Sequence, residues 1–386
     1  MRYPSPIASA TQFAATAVRS LERLASPTHT PLSGIRNFVL LQHPQALGTA
    51  IHATPLIPAL HAAIPGARIA AVASGFALDI LSDNPGFERL VPAPSPLRDL
   101  PGAIKAFRSA KLFDNQPYAL LQTLGNERSR LSLAALLGGA HTRVGFSVLQ
   151  GLSAAPLHFD PCLSQIANNL RILDALGHGT ALALALAANP GLIEPQVFPS
   201  PQHLLQAQAL LTAEGIDPSL PIAIFVTQTS PTQLKSWRAE RFRAVAETLH
   251  RQYNMQIVFV GSASESPAIE ALRTGLSFAT TSVAGRTGLL ELAALMGLAD
   301  VALTLDTGPM HLLRAMRVPM VILAPAWSPP VEWLPLGNPR ARILKNADMP
   351  AQTPGYIIDE VDVPEVEQNL HELLALYPPR SFAWRA

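Results

Sequence analysis

The sequence predicts an α/β protein built of two Rossmann-like domains whose parallel sheets face each other across a cleft. Short apolar runs alternate with helical segments, as in a parallel sheet covered on both faces. The alternation stops in a proline-rich stretch and then begins again. A chain of 386 residues also exceeds one ordinary core, so two domains of about 150–200 residues each are expected.

From Arg36 the elements follow in order. Asn37–Leu41 reads as a buried strand and Ala50–Ala63 as a helix closed by Pro65-Gly66. Arg68–Val72 is a second strand, with a helix near Phe76–Leu81. Tyr118–Gln122 and Thr142–Phe146 read as strands, with Leu131–Leu137 helical between them. Residues 189–201, NPGLIEPQVFPSP, hold four prolines and form the expected linker. Beyond it, Pro221–Val226, Gln256–Val260, Val301–Leu305 and Pro319–Leu323 read as strands. Glu240–Tyr253, Leu289–Leu298 and Pro309–Met316 are the helices among them, and Val363–Leu376 carries Val366, Leu370, Leu373 and Leu374 on one face of a final helix. The expected divisions are 1–33 as an extension, 34–190 and 202–350 as the two domains, and 351–386 as a helical tail.

Composition narrows the function. Hydrophobic residues make up 48% and charged residues 14%, so the chain has ample surface to bury. A net charge of +1 argues against a broad nucleic-acid footprint. With one cysteine, Cys162, an intramolecular disulfide and a cysteine-based zinc site are excluded, which suits a reducing, cytoplasmic setting. The longest apolar run, Ala181–Ala188, falls far short of the roughly 20 residues that cross a bilayer. Residues 1–33 lack the continuous apolar core of a secretory signal. They read first as a loosely ordered extension and second as a membrane-surface helix over Gln12–Leu24.

Three stretches carry chemistry. In Val301–His311 a buried strand runs into the turn Asp306-Thr307-Gly308 and a helix with Pro309 at its first position. Free amides and the positive end of such a helix attract anions, and Gly308 allows close approach. Asp306 could accept hydrogen bonds from sugar hydroxyls. It could equally be an ordinary helix cap. The second stretch follows the strand Pro221–Val226: the hydroxyl-rich loop Thr227–Thr232, including Thr229 and Ser230, leads to Lys235-Ser236-Trp237-Arg238. Several donors and one cation suit a pyrophosphate, although a solvated lysine is the plainer alternative. The third is Leu47-Gly48-Thr49-Ala50-Ile51-His52, where Gly48 opens a helix. The chain has no GxGxxG, GxxxxGK[ST] or GxSxG signature and no zinc pair of histidines, which disfavours a dehydrogenase, an NTPase and an α/β hydrolase.

Together these stretches resemble glycosyltransferase family 9, the ADP-heptose:lipopolysaccharide heptosyltransferases. The resemblance runs from Arg36 to about Gly337. It rests on ALGTAIHATPLIPAL after the first strand, Pro65-Gly66-Ala67 before the second, Lys235-Ser236-Trp237, Ala284–Leu292 and Asp306–His311. It implies a GT-B fold and an inverting, metal-independent transfer without a cofactor. A nucleotide-sugar, ADP-heptose first among them, would bind the C-terminal domain. A glycan or glycolipid acceptor such as a lipopolysaccharide core would bind the N-terminal one, in the cytoplasm or at the cytoplasmic face of the inner membrane.

The resemblance also implies roles. Lys235 and the Thr307–Met310 amides would stabilise the departing diphosphate, with Asp306 and His311 holding sugar or phosphates and Glu265 reaching the ribose. One position departs from the family pattern. Where members carry the aspartate proposed as general base, this chain has Thr49, whose hydroxyl lacks useful basicity. Either His52, three residues on, takes the proton, or turnover is slow, or the chain is a non-catalytic relative that binds nucleotide-sugar or glycan as a scaffold or regulator.

Overall fold

The computed structural model describes residues 9–25, 31–229, 235–327, 329–346 and 356–380. The chain divides into two compact units, Met1–Phe198 and Pro199–Ala386. The junction lies inside the proline-rich stretch.

The N-terminal unit holds a sheet of β1 (Asn37–Gln42), β2 (Arg68–Ala73), β3 (Arg89–Pro92), β4 (Ala119–Gln122), β5 (Thr142–Phe146) and β6 (Ala155–Leu157). Its order is β3-β2-β1-β4-β5-β6 and every pairing is parallel. All six residues of β1 are buried, as a central parallel strand covered on both faces requires. Sequence reading missed β3 and β6. Both are short edge strands, half exposed and carrying Pro92 and Pro156, so neither has an apolar run to betray it.

The single helix expected over 50–63 is two helices, Leu47–Ala53 and Leu56–Ala63. Pro55 at the junction has no N–H to continue the ladder, and its ring interferes with the preceding turn. The expectation of a loosely ordered extension is also corrected. Ser9–Ala25 is a helix fixed to this unit. Gln12 donates to Val148 O at 2.6 Å and accepts from Gly151 N at 3.2 Å. Glu22 pairs with the buried Arg143 guanidinium, and Ala15 packs on Leu149 and Leu152. The outward face exposes Phe13 and Leu21. Among the described residues no helix is long and apolar enough to cross a membrane.

The C-terminal unit repeats the plan with β7 (Ile222–Val226), β8 (Gln256–Phe259), β9 (Thr281–Ser282), β10 (Val301–Leu305), β11 (Met320–Leu323) and β12 (Ala341–Leu344). The order β12-β11-β10-β7-β8-β9 is again wholly parallel. Counted from its own first strand, this is the strand order of the N-terminal sheet. Sequence reading missed β9, of two residues, and the edge strand β12. The helix Val363–Leu376 is part of this unit's core: Val366, Leu370, Leu373 and Leu374 are buried with Phe225, Phe242 and Phe259.

Candidate functional site

In a sheet of this order the helices after the two central strands leave toward opposite faces, and the loops diverge. A ligand crevice opens at their carboxyl ends. In the C-terminal unit these strands are β7 and β10, paired from Val301↔Ala223 to Thr304↔Val226. Thr227–Thr229 follow β7, and Lys235 precedes the helix Ala239–Tyr253. The chain leaves β10 through Asp306 and Thr307 and enters the helix Gly308–Ala315.

Lys235 and Asp306 meet there. Lys235 Nζ donates to Asp306 Oδ2 and to Asp306 O, both at 2.9 Å. The two side chains are only 10% and 4% exposed, so this is a buried ion pair, not a solvated lysine. An ammonium has three N–H donors, and the third is not needed for this pair. The Trp327 ring lies 5.4 Å from Nζ.

Local structure explains why Lys235 is held. Two residues on, the buried Trp237 ring meets Phe242 edge-on at 4.9 Å, and Phe242 packs on Phe225 of β7. Residues from far along the chain fasten the other side. Ile358 N donates to Ser236 O at 2.8 Å and Trp237 Nε1 donates to Val361 O at 2.9 Å. Arg238 and Arg241 both pair with Asp359. Sequence reading did not find this strap, nor Trp327, because nothing in local spacing announces contacts between residues so far apart in the chain.

The ordinary-cap alternative for Asp306 fails. Thr307 occupies the N-cap position, and no side chain caps the helix; the Asp306 carboxylate is turned to Lys235 instead. The amide set is narrower than expected. Pro309 has no N–H and Met310 N already donates to Thr307 O at 3.1 Å, which leaves the Thr307 and Gly308 amides for an anion. Met310 itself is a core side chain, 0% exposed. The Thr229 and Thr307 hydroxyls are buried and, among the described residues, have no hydrogen-bond partner. Buried polar groups are normally bonded, so these two hydroxyls, in the segments that follow β7 and β10, retain capacity to bond a polar ligand. Ser230 lies outside the described residues.

His311 is buried beside Trp333, ring centroids 5.9 Å apart. Burial lowers its pKa to about 4, with Asp306 pulling upward and Arg314 and Lys235 adding to the fall. The imidazole is therefore neutral near pH 7 and serves as a hydrogen-bonding group, not as a counter-charge for phosphate. Glu265 lies in the turn after β8, beside β7 in the sheet. Its Oε2 accepts from Ser262 N at 2.6 Å in a capping box, so part of its bonding capacity is already committed.

Gly48, Thr49 and His52 belong to the N-terminal unit. All three are buried in the helix Leu47–Ala53, at the carboxyl edge of β1. Thr49 presses on Gly125, in the loop after β4: a Cβ at Gly125 would fall 2.1 Å from Thr49 Cγ2. His52 is 1% exposed, and Asn169 Nδ2 donates to its main-chain oxygen. So little exposed surface weighs against His52 as the group that meets an acceptor hydroxyl. His43, at the end of β1, bonds Ser74 Oγ through Nδ1 at 2.8 Å, and burial lowers its pKa to about 4.

The architecture defines a class: a GT-B-type α/β chain with an anion-compatible crevice in its C-terminal sheet. Residues 185–354 match the family model glycosyltransferase family 9 (heptosyltransferase). Over that segment the chain is similar to glycosyltransferase family 9.

A curated relative, the lipopolysaccharide core heptosyltransferase OpsX of Haemophilus influenzae, is 29% identical over 117 residues. That alignment covers 30% of this chain, and the chain spans only a third (33%) of the relative's length. Solved structures of similar fold cover far more. A glycosyl transferase family 9 protein from Veillonella parvula aligns over 90% of this chain and 99% of its own, with a TM-score of 0.77 at 19% identity. The ADP-heptose lps heptosyltransferase II of E. coli aligns over 88% and 98%, with a TM-score of 0.70 at 20% identity. E. coli heptosyltransferase WaaC with ADP aligns over 87% and 99%, with a TM-score of 0.59 at 18% identity.

Proposed function

We propose that the chain is an inverting, metal-independent glycosyltransferase. It would move heptose or a similar sugar from ADP-heptose or another nucleotide-sugar to a lipopolysaccharide core or other glycan acceptor. The observation that carries this reading is the buried Lys235–Asp306 pair at the β7–β10 crevice, beside a helix start whose side chains do not cap it. The family match in the same unit supports it.

In this reading the donor diphosphate lies at the start of the helix Gly308–Ala315. The Thr307 and Gly308 amides and the third Lys235 N–H face the charge that grows as the diphosphate departs. Asp306 fixes the ammonium at that place, while neutral His311 and the Thr229 and Thr307 hydroxyls hydrogen-bond sugar or phosphate oxygens. Glu265 is the ribose contact proposed from the family pattern. The acceptor belongs to the N-terminal unit at Gly48 and Thr49. The reaction takes place in the cytoplasm, with the exposed Phe13 and Leu21 face of the first helix as a peripheral contact with the inner membrane.

Calorimetric titration with ADP, UDP and GDP tests the donor. ADP should bind, and K235A should remove most of that binding. Transfer is followed with radiolabelled ADP-heptose and heptose-deficient lipopolysaccharide. Binding of all three nucleotides too weak to measure would overturn the donor site, and tight ADP binding without transfer would leave a scaffold.

A further inference from the structure

The two sheets share one strand order, so each has one place where the order reverses. In the C-terminal unit that place, between β7 and β10, holds Lys235 and Asp306. In the N-terminal unit it lies between β1 and β4. The loops there are 43–46 after β1 and 123–128 after β4, with 147–149 after the neighbouring β5. These read HPQA, TLGNER and SVL, and they contain a single carboxylate, Glu127.

The loops are fastened to each other. Asn126 Oδ1 accepts from His43 N at 2.7 Å, and Arg128 donates to Gln45 Oε1. Thr123 Oγ1 accepts from Gln42 Nε2 at 2.8 Å and from Asn126 Nδ2 at 3.1 Å. Glu127 O accepts from Val148 N at 2.8 Å, which ties the same turn to the loop after β5. Gly125, at φ +82°, lies against Thr49 so closely that no side chain would fit between them. The Glu127 carboxylate in turn faces the Gly125 amide and its own. Residue 49 therefore lies against Gly125, two positions before Glu127 in the same fastened loop.

We propose that Glu127 is the general base that accepts the proton of the attacking acceptor hydroxyl, acting beside residue 49, which has no carboxylate of its own. This rests on the transfer reaction proposed above. The acceptor O–H proton passes to a Glu127 carboxylate oxygen, and the acceptor oxygen forms a bond to the anomeric carbon. The bond from that carbon to the diphosphate breaks, and its electron pair leaves with the nucleoside diphosphate. Burial holds the Glu127 carboxyl above the ordinary carboxylate range, outweighing the two amides and the Arg128 charge that pull it down. A raised pKa makes a better proton acceptor near neutral pH. Of the other groups at this crevice, Arg128 contributes its positive charge, and His43, lowered by burial to about 4, is neutral above about pH 5 and does not imitate the Glu127 titration.

The test compares wild type, E127Q and E127D in ADP affinity by calorimetry and in ADP release from ADP-heptose. Release is measured across pH 5–9, with heptose-deficient lipopolysaccharide and with water as the only acceptor. E127Q keeps the shape of the side chain. It should leave ADP affinity unchanged, lower kcat by about 10²–10⁴-fold and abolish the acidic limb of the kcat/KM profile. E127D should recover part of the rate. A kcat for E127Q within a few-fold of wild type, or an unchanged acidic limb, overturns the proposal while leaving the donor reading intact. Wild type that binds ADP but never releases it from the sugar also overturns it. Wild type that fails to bind ADP overturns the donor reading first.

Discussion

Replacing Lys235 by methionine removes the ammonium and keeps most of the side-chain volume. The Asp306 carboxylate, 4% exposed, is then left without the cation that stands 2.9 Å from it. Removing one partner of a buried pair costs about 3–5 kcal/mol, because the remaining charge has neither water nor a counter-ion. A domain is stable by only about 5–15 kcal/mol, so K235M should bring the C-terminal unit close to unfolding, and lost activity alone would prove nothing. The double variant K235M/D306N separates the two effects. With no charge stranded it should regain most of the stability, while ADP affinity and transfer stay lost. All four tryptophans, Trp237, Trp327, Trp333 and Trp384, lie in the C-terminal unit, so denaturant unfolding followed by tryptophan fluorescence reads that unit alone. A loss below about 1 kcal/mol in K235M, the range of a solvated pair, would refute the burial argument. Wild-type ADP affinity in the double variant would refute the role of the pair in donor binding.

Further predictions concern pH and the N-terminal unit. The folded-state pKa of His311, about 4, lies below its ordinary 6.5, so its stabilising effect is complete above pH 6.5 and is lost as pH falls toward 4. At about 1.4 kcal/mol per pH unit, roughly 2 kcal/mol should go by about pH 5, and H311Q should flatten that slope in fluorescence-monitored unfolding. G125A should destabilise the N-terminal unit by about 2 kcal/mol or more, from the positive φ and the collision with Thr49; T49G should relieve only the collision, as read from far-UV circular dichroism melts. E22Q should cost the N-terminal unit a few kcal/mol, about 3 by analogy with other broken buried pairs, because Arg143 is only 3% exposed. An unchanged melting temperature there would mean that the first helix contributes nothing to the unit's stability.

The central strands were legible because burial on both faces writes an unbroken apolar run: NFVLL, IAIFV and VALTL speak for themselves. Edge strands such as Ala155–Leu157 have one solvated side and little length, so their residues carry no pattern. The helix break at Pro55 was written in the sequence and overlooked. Lys235 and Asp306 were each visible as residues beyond strand ends, but their pairing needed the β7–β10 register. Glu127 was hidden for a similar reason. A glutamate in a loop looks solvated until the strand order puts its loop at the carboxyl end of β4, beside β1, where burial raises its pKa. The fastening of Ser236 and Trp237 by residues 358–361 could not be read at all, since the hydrogen bonds involve backbone atoms that every residue possesses.

That last contact orders events in the life of the chain. A nascent polypeptide leaving the ribosome can complete the N-terminal sheet as soon as residues up to about 198 have emerged, since domains fold as units. The C-terminal sheet is different. Its core lacks a wall until Val366, Leu370 and Leu373 arrive, and the loop holding Lys235 stays untied until Ile358 and Val361 reach it. For more than a hundred residues of synthesis the lysine waits beside a half-built pocket. The C-terminal fold should therefore close late and abruptly, and a chain stalled before residue 356 would present a finished N-terminal fold joined to a C-terminal unit that still exposes its apolar interior to chaperones.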